Sequence, residues 1–199
     1  MKILIVVAHP SSASFNHAIA NAAAHEARRL GHAVVLHDLY AEKFDPLMPA
    51  EEFPKNAALP PEIARHCDDL RTADGLVVVH PNWWGQPPAI LTGWIDRVVR
   101  PGIAYEFRVG DKGEGVPVGL LKLRGAFVFH TANTPADREL AVFGDPLESI
   151  WMKCVFGLCG VRNAIRKTFA VVITSTPAQR AAWLEEVRAA VREKFPSDS

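Results

Sequence analysis

The sequence of 199 residues predicts an α/β fold, a doubly wound five-stranded parallel sheet with helices on both faces, in one domain over residues 1–199. Three observations lead to this prediction. Five β-rich runs are separated by helical stretches, the first run is apolar throughout, and polar or aromatic loops follow the runs. Ligands of such sheets bind beyond the carboxyl ends of the strands, so these loops are expected to carry the function.

The first half of the chain contains three of the five predicted strands. Ile3–Ala8 is continuously apolar, as expected for a strand covered on both faces, and Phe15–Leu30 has helical composition with Gly31 as its C-cap. The elements that follow are strand Ala33–Leu39, a proline-punctuated loop, helix Glu62–Thr72 and strand Gly75–His80.

The second half of the chain continues the alternation after an irregular interval. The predicted elements are helix Ala89–Val99, an irregular glycine-rich segment to Lys122, strand Gly125–Thr131, apolar helix Asp145–Leu158, strand Thr168–Thr174 and helix Pro177–Phe195. The tail Pro196–Ser199 is expected to be disordered.

Composition and charge exclude several classes of protein. Lys and Arg number 22, as do Asp and Glu, so no general field for nucleic acid is expected. No apolar run approaches the roughly 18 residues of a membrane span, and His9-Pro10 interrupts the apolar start too early for a signal peptide. Cys67, Cys154 and Cys159 form no CxxC pair, which favours a reducing compartment and a cytoplasmic location.

The loop "HPSSASFN" follows the first predicted strand and leads into the first predicted helix. Its hydroxyl and amide groups precede a helix N-terminus, where an anion such as phosphate binds favourably. His9 adds a donor, and Ser14 is a candidate N-cap; alternatively, the loop is only a serine-rich turn with a cap. The spacing matches neither the GxGxxG nor the GxxxxGK[ST] phosphate-binding motif.

The loop "HPNWWGQPP" follows the third predicted strand. Trp83 and Trp84 offer large apolar faces, and Gly85 allows the backbone to approach a ligand closely. This composition predicts a wall for a planar heterocycle; alternatively, one of the two tryptophans packs under the sheet.

The third loop begins at the end of the fourth predicted strand. His130, Thr131 and Asn133 could donate hydrogen bonds to a negative charge that develops during a reaction. Alternatively, His130 has a structural role. One small sheet thus has three loops suited to bind a phosphate or a planar ring. A flavin nucleotide has both groups and is therefore the favoured ligand.

The chain resembles the flavodoxin-like NAD(P)H:quinone oxidoreductase family. The resemblance rests on "ILIVVAHPSSASFNHAIA", "GHAVVLHDLYAEKFDP" and "ADGLVVVHPNWWGQPPAILTGWIDRVV", in this order, and spans nearly the whole chain. It implies a flavodoxin-like fold, a bound FAD or alternatively FMN, NAD(P)H as electron donor, and a quinone or similar small molecule as acceptor. It further implies two-electron, ping-pong hydride transfer through the flavin, and a homodimer.

The resemblance also implies which residues of this chain contact the flavin. The implied cofactor-binding residues are His9, Ser14, Phe15, Asn16, Pro81, Asn82, Trp83, Trp84, Gly85, His130, Thr131, Ala132 and Asn133. The implied catalytic residues are His130, Asn133 and Arg138, and no metal is expected.

One departure from the family pattern concerns the third loop. Animal members carry a Tyr and a His that assist hydride transfer, whereas "TPADRELAVFGDP" contains neither and has Asp137, Arg138 and Phe143 in this region. The acceptor is therefore left open. An alternative function is that of a flavin-binding, redox-sensing regulatory subunit that docks on a partner protein.

The apolar helix predicted at Asp145–Leu158 bears on assembly. Trp151, Val155, Phe156 and Leu158 cover much of its circumference. Part of this surface must pack on the sheet, and the remainder is expected to be covered by a second copy in a twofold dimer.

Overall fold

The computed structural model describes residues 1–110 and 113–197, which form seven strands. In chain order the strands are β1 (Lys2–Val7), β2 (Ala33–Asp38), β3 (Gly75–Pro81), β4 (Tyr105–Val109), β5 (Gly115–Gly119), β6 (Gly125–Ala132) and β7 (Ala164–Ala170). Five of them make one parallel sheet in the order β2-β1-β3-β6-β7, which confirms the predicted fold. The order reverses between β1 and β3, so the crevice for a ligand is expected at the carboxyl ends of these two strands.

The helical elements cover both faces of the sheet. They are α1 (Phe15–Arg29), α2 (Pro61–Arg71), α3 (Ala89–Val98), α4 (Ala136–Arg138) with a π-helical continuation (Glu139–Phe143), α5 (Pro146–Glu148), a π-helical segment (Ser149–Val155), α6 (Phe156–Cys159) and α7 (Pro177–Lys194). A short 3₁₀ turn lies at Ala50–Glu52. Within the described residues, no helix combines the length and the apolar character needed to cross a bilayer.

The apolar run of β1 supplies two cores at once. Ile3 and Ile5 point into a cluster with α1 and α7, while Leu4 and Val6 point into the opposite cluster with α2 and α3. Because successive side chains of a strand face opposite sides of the sheet, a central strand must be apolar at every position. This burial explains why β1 was recognisable from the sequence.

The antiparallel hairpin of β4 and β5 corrects the prediction of an irregular segment to Lys122. Its residues are mostly exposed, so the segment lacks the apolar pattern by which a strand is recognised. Residues 111 and 112, which the prediction also covered, lie outside the described residues, as do residues 198 and 199 of the expected disordered tail.

The last strand of the sheet and the helices beside it also differ from the predictions. β7 begins four residues earlier than expected and includes Arg166, Lys167 and Thr168. It is an edge strand, for which a polar sequence is usual. The single helix expected at Asp145–Leu158 is instead α5, a π-helical segment and α6, and the helical turn from Ala136 to Phe143 was not predicted.

The two largest apolar side chains of that segment pack in the core. Trp151 and Phe156 are each 1% exposed and belong to the core cluster beside α3. They make up the part of the apolar surface that was expected to pack on the sheet, and the dimer stays a prediction. Exposed apolar side chains lie instead at Leu140, Val142 and Phe143 on the preceding π-helical continuation.

The proline-rich loop after β2 is fixed to α3 by a buried ion pair. The Arg97 guanidinium donates from Nε to Glu52 Oε2 at 2.9 Å and from Nη1 to the Asp45 carbonyl at 2.6 Å. Gly93, one turn earlier, lies so close to Pro46 that an added Cβ would come within 2.2 Å of the Pro46 carbonyl oxygen. These contacts give a loop without regular structure a defined position.

Candidate functional site

The first of two cavities at the carboxyl edge of the sheet has a volume of about 430 Å³. Its walls come from all three loops that the sequence singled out. The lining residues are His9, Ser11, Ser14, Phe15, Asn16, Pro81, Asn82, Trp83, Thr131, Ala132, Asn133, Thr134 and Val172. The cavity lies at the ends of β1, β3 and β6, where the strand order predicts a ligand.

The N-terminus of α1 opens into this cavity. Ser14 caps the helix, as predicted, by accepting from the His17 N–H at 3.2 Å. The N–H groups of the first helical turn, those of Phe15 and Asn16, precede the intrahelical hydrogen bonds. These donors and the helix dipole make an anion-binding end of the cavity without any lysine or arginine among its described lining residues.

The Ser14 hydroxyl is itself held in a chain of hydrogen bonds. His17 Nε2 lies 2.8 Å from Asp38 Oδ2, and His17 Nδ1 lies 2.9 Å from Ser14 Oγ. Because a carboxylate only accepts, the His17 ring donates from Nε2 to Asp38. Ser14 Oγ is thus held at the helix end by both the N–H and the ring of His17.

His9 lies beside the same helix end, with its ring centroid 6.4 Å from that of His17. Its Nδ1 accepts from the Ser11 N–H at 3.1 Å, so the neutral ring carries its proton on Nε2. Burial lowers the pKa of His9 and outweighs the opposing effect of the Ser11 backbone. His9 contributes a neutral donor, and the Trp83 indole lies beside it with ring centroids 6.1 Å apart.

Hydrogen bonds of side chains and backbone join the walls of the first cavity. Asn16 Nδ2 donates to Thr131 Oγ1 at 3.0 Å, which links α1 to the end of β6. The Asn82 N–H donates to the Thr131 carbonyl at 2.7 Å and links the ends of β3 and β6. Asn133 Oδ1 accepts from the Ile173 N–H at 3.0 Å, so the Asn133 amide group remains as a donor.

The tryptophan pair forms a tight turn. Trp83 and Gln86 pair with each other, and the two residues between them have positive φ, +58° at Trp84 and +74° at Gly85. This is the pattern of a type I′ turn. The turn separates the indoles: Trp83 lines the first cavity, whereas Trp84 is 98% exposed at the tip.

The turn conformation predicts a stabilising substitution. A left-handed backbone disfavours Trp, whereas Asn followed by Gly is the preferred type I′ pair, so Trp84→Asn should raise the free energy of unfolding by about 1 kcal/mol. Trp84→Val should lower it, because a β-branched residue suits positive φ least. Denaturant unfolding of both variants measures the difference; a loss of stability in Trp84→Asn would contradict the assignment.

A second cavity of about 460 Å³ adjoins the first. The two share Asn82, Ala132, Asn133 and Thr134 as a common wall. The other described lining residues of the second cavity are Trp84, Gly85, Glu139, Phe143 and Pro146. Apart from the neutral polar residues of the shared wall, its lining is aromatic or apolar except at Glu139.

Glu139 was missed by the sequence analysis. Its Oε1 accepts from Asn82 Nδ2 at 3.1 Å, so the π-helical continuation of α4 is tied to the loop after β3. The signal available in the sequence was its position four residues before Phe143, since residues with this spacing share a helix face. Because the sequence predicts no helix there, this spacing has no meaning without the structure.

Arg166 of β7 holds the far side of the second cavity. It donates from Nε to Glu148 Oε2 at 3.0 Å and pairs with Asp145, the two acidic residues that flank Pro146. Arg166 was also not predicted, because it lies in the polar part of β7.

Two of the three residues expected to be catalytic line neither cavity. His130 is 2% exposed and stacks on His80 on the face of the sheet occupied by Trp151. Burial, His80 and Arg166 lower the pKa of His130 to about 2, so it is neutral. Arg138 is exposed on α4. Asn133, the third, lines both cavities.

The remaining residues implied to bind a cofactor divide between the cavities. His9, Ser14, Phe15, Asn16, Pro81, Trp83 and Thr131 line the first, Trp84 and Gly85 line the second, and Asn82 and Ala132 line both. The structure thus brings together every implied cofactor-binding residue except His130.

One cluster in the described part of the chain has the composition of a metal centre. The ligand atoms of His37, Glu42 and His66 lie within 4.8 Å of one another. However, Trp94 Nε1 donates to His66 Nδ1 at 3.1 Å, so the His66 proton resides on Nε2, which lies 3.0 Å from Glu42. A protonated ring nitrogen cannot ligate a metal, and the cluster is better explained as a buried hydrogen-bond network.

The joined cavities suit an elongated ligand with an anionic end and a planar end. The first cavity provides helix N–H groups and neutral donors, and the second provides aromatic faces beside the shared Asn133 amide. This donor set fits a flavin, whose phosphate needs N–H donors and whose ring needs flat apolar walls.

Comparisons with known proteins identify a family and several relatives of the chain. A model of the flavodoxin-like fold family matches residues 1–195. The chain is 33% identical over 189 residues to an uncharacterized NAD(P)H oxidoreductase of Haemophilus influenzae, covering 93% of this chain and 91% of that protein. It is 28% identical over 218 aligned positions to human ribosyldihydronicotinamide dehydrogenase (quinone), covering 97% and 93%. An NAD(P)H:quinone oxidoreductase from Methanothermobacter marburgensis superposes with a TM-score of 0.82 at 26% identity, covering 97% and 96%.

Proposed function

Because the chain belongs to the flavodoxin-like family of NAD(P)H oxidoreductases, we propose that it binds a flavin across the two joined cavities and carries electrons from NAD(P)H to a quinone or similar acceptor. The observation that carries the proposal is the common wall of Asn82, Ala132, Asn133 and Thr134. This wall joins an anion-binding helix end, suited to the flavin phosphate, to an aromatic cavity, suited to the flavin ring and a flat substrate.

Each part of the site has a role in this proposal. The N–H groups of Phe15 and Asn16 hold the phosphate, with His9 as a neutral donor. The Asn133 amide stabilises negative charge at the junction of the cavities. The flavin, when bound, supplies the two-electron hydride chemistry, and the donor and the acceptor would lie against its ring in the second cavity in turn. His130 and Arg138 have no direct role, because they line neither cavity.

The flavin is FAD or FMN, and the protein is proposed to act in the cytoplasm as a homodimer. The three cysteines are free, in keeping with a reducing compartment. The exposed side chains of Leu140, Val142 and Phe143 lie next to the second cavity, where a second copy would enclose it.

The proposal is tested on the purified protein in three measurements. Flavin released by denaturation is identified by mass, its bleaching by NADH or NADPH is followed without oxygen, and turnover is measured with a quinone at several nucleotide concentrations. Parallel double-reciprocal lines are expected for a ping-pong reaction. Absence of flavin would refute the proposal, and a bound flavin that neither nucleotide reduces would favour the regulatory subunit instead.

Asn16→Ala is expected to weaken flavin binding by about tenfold. The substitution removes one hydrogen-bonding side chain of the first cavity, worth about 1–1.5 kcal/mol, together with the bond to Thr131 that positions this wall. The measurement is a flavin titration of the cofactor-free protein, with Asn21→Ala as the control on the exposed side of the same helix. Equal affinity in both variants would remove Asn16 from the site.

A further inference from the structure

We propose that Glu139 determines the charge preference of the second cavity, so that the protein takes neutral or cationic flat aromatic acceptors and rejects anionic ones. The proposal rests on the proposed function in one respect, the assignment of the second cavity to the acceptor. The physical basis is one carboxylate in a wall that is otherwise apolar or neutral.

The position of Glu139 is fixed by the fold. It begins the π-helical continuation of α4, a type of segment that is frequent at functional sites, and it shares a helix face with Phe143. Gly144 ends the segment in the left-handed conformation. The bond from Asn82 Nδ2 to Glu139 Oε1, 3.1 Å long, holds the carboxylate against the loop that carries Trp84.

Neighbouring charges do not cancel this carboxylate. Asp145 and Glu148 flank the cavity residue Pro146, and both are paired with Arg166. Asp137 and Arg138 are exposed on α4 and line neither cavity. Glu139 is thus the only charged side chain among the described residues that line the second cavity.

The surroundings increase the effect of this charge. Trp84, Phe143 and Pro146 exclude part of the solvent from a bound ring, so charges near it are screened less than in water. A sulfonate or carboxylate on an acceptor is then repelled by Glu139, whereas an ammonium or an N–H group is attracted and can also lie on the Trp84 face. Repulsion of this kind selects against anionic acceptors without adding affinity for neutral ones.

The test compares naphthoquinones that differ in charge. The probes are 2-methyl-1,4-naphthoquinone, which is neutral, and 1,4-naphthoquinone-2-sulfonate, which is anionic. Their dissociation constants are measured on the flavin-loaded protein by quenching of tryptophan fluorescence, without nucleotide. Turnover then gives kcat/KM with NADH or NADPH. For each variant, the value for the neutral quinone is divided by the value for the anionic one. Comparing these ratios between variants cancels the intrinsic difference between the two quinones.

Three variants give distinct expectations. The native protein should prefer the neutral quinone by about tenfold or more; Glu139→Gln should reduce this preference to about threefold or less, and Glu139→Lys should reverse it. Glutamine retains an oxygen for the Asn82 bond, so the position of the loop is maintained. Asp137→Asn is the matched control, because it removes a negative charge two residues away that does not line the cavity.

An unchanged preference in Glu139→Gln, or an equal change in Asp137→Asn, would overturn the proposal. A failure of the proposed function would be distinguishable from a failure of this charge preference. If neither nucleotide supports quinone turnover while the binding preference still depends on Glu139, the charge preference stands and the enzymatic proposal does not. Conversely, if both quinones are turned over without any dependence on Glu139, the enzymatic proposal stands and the charge preference does not.

Discussion

Replacing Arg97 with alanine is expected to lower the free energy of unfolding by about 3–5 kcal/mol. Arg97 is 3% exposed and its partner Glu52 is 2% exposed, so the substitution leaves a buried carboxylate without its counter-charge. It also removes the donor to the Asp45 carbonyl, and the loop after β2 loses its attachment to α3. The measurement is denaturant unfolding at neutral pH.

The control for this prediction is an ion pair at the surface. Arg71 and Asp68 are paired three residues apart on α2, but both side chains are more than half exposed. Arg71→Ala should therefore cost less than about 1 kcal/mol. The double variant Glu52→Met with Arg97→Met should recover part of the loss, because it buries neither charge alone. A cost for Arg97→Ala no larger than that for Arg71→Ala would show that the buried pair contributes little.

The second large effect is expected at Trp151. Trp151→Ala should lower the free energy of unfolding by about 3–5 kcal/mol, since it empties a large volume in a packed core. The indole also donates to His80 Nε2 at 3.0 Å, and His80 Nδ1 lies 2.8 Å from the Pro81 carbonyl. Burial holds the pKa of His80 down at about 4, so the ring stays neutral and needs a donor at Nε2. Removing the indole leaves this nitrogen buried and unpaired.

Two variants separate these contributions by denaturant unfolding. Trp151→Phe keeps most of the packing but loses the hydrogen bond, with an expected cost of about 1–3 kcal/mol. Trp84→Ala serves as the control for loss of an exposed indole and should change stability by less than about 0.5 kcal/mol. If Trp151→Ala and Trp84→Ala cost the same, the burial of Trp151 is not reproduced in solution.

The sequence allowed the central strands to be predicted because burial on both faces leaves a clear signal. β1, β3 and β6 are apolar at nearly every position, and each was predicted within one or two residues of its bounds. The edge strand β7 and the hairpin strand β4 carry polar residues on exposed faces, so their signals are weak. A strand of this kind is recognised by its neighbours in space, which a single sequence does not provide.

The candidate site shows a similar division. The polar helix start at Ser14 and the loop that carries Trp84 are local features, so the sequence indicated both. His130 lines neither cavity, because successive residues of a strand face opposite sides of the sheet. Thr131 faces α1, where it bonds with Asn16, and His130 therefore faces Trp151. The place of Glu139 in the site depends on its hydrogen bond with Asn82, 57 positions away in the sequence, and local patterns do not reveal such a contact.

The separation of the tryptophans by the type I′ turn also gives the molecule a natural optical label. Trp94, Trp151 and Trp183 are buried, and Trp83 is partly shielded, whereas the Trp84 indole stands in water at the edge of the second cavity. Indoles in water emit at longer wavelengths than buried ones, so emission collected at the red edge of the band favours Trp84. Occupancy of the second cavity can then be followed in the unmodified protein, with no dye attached.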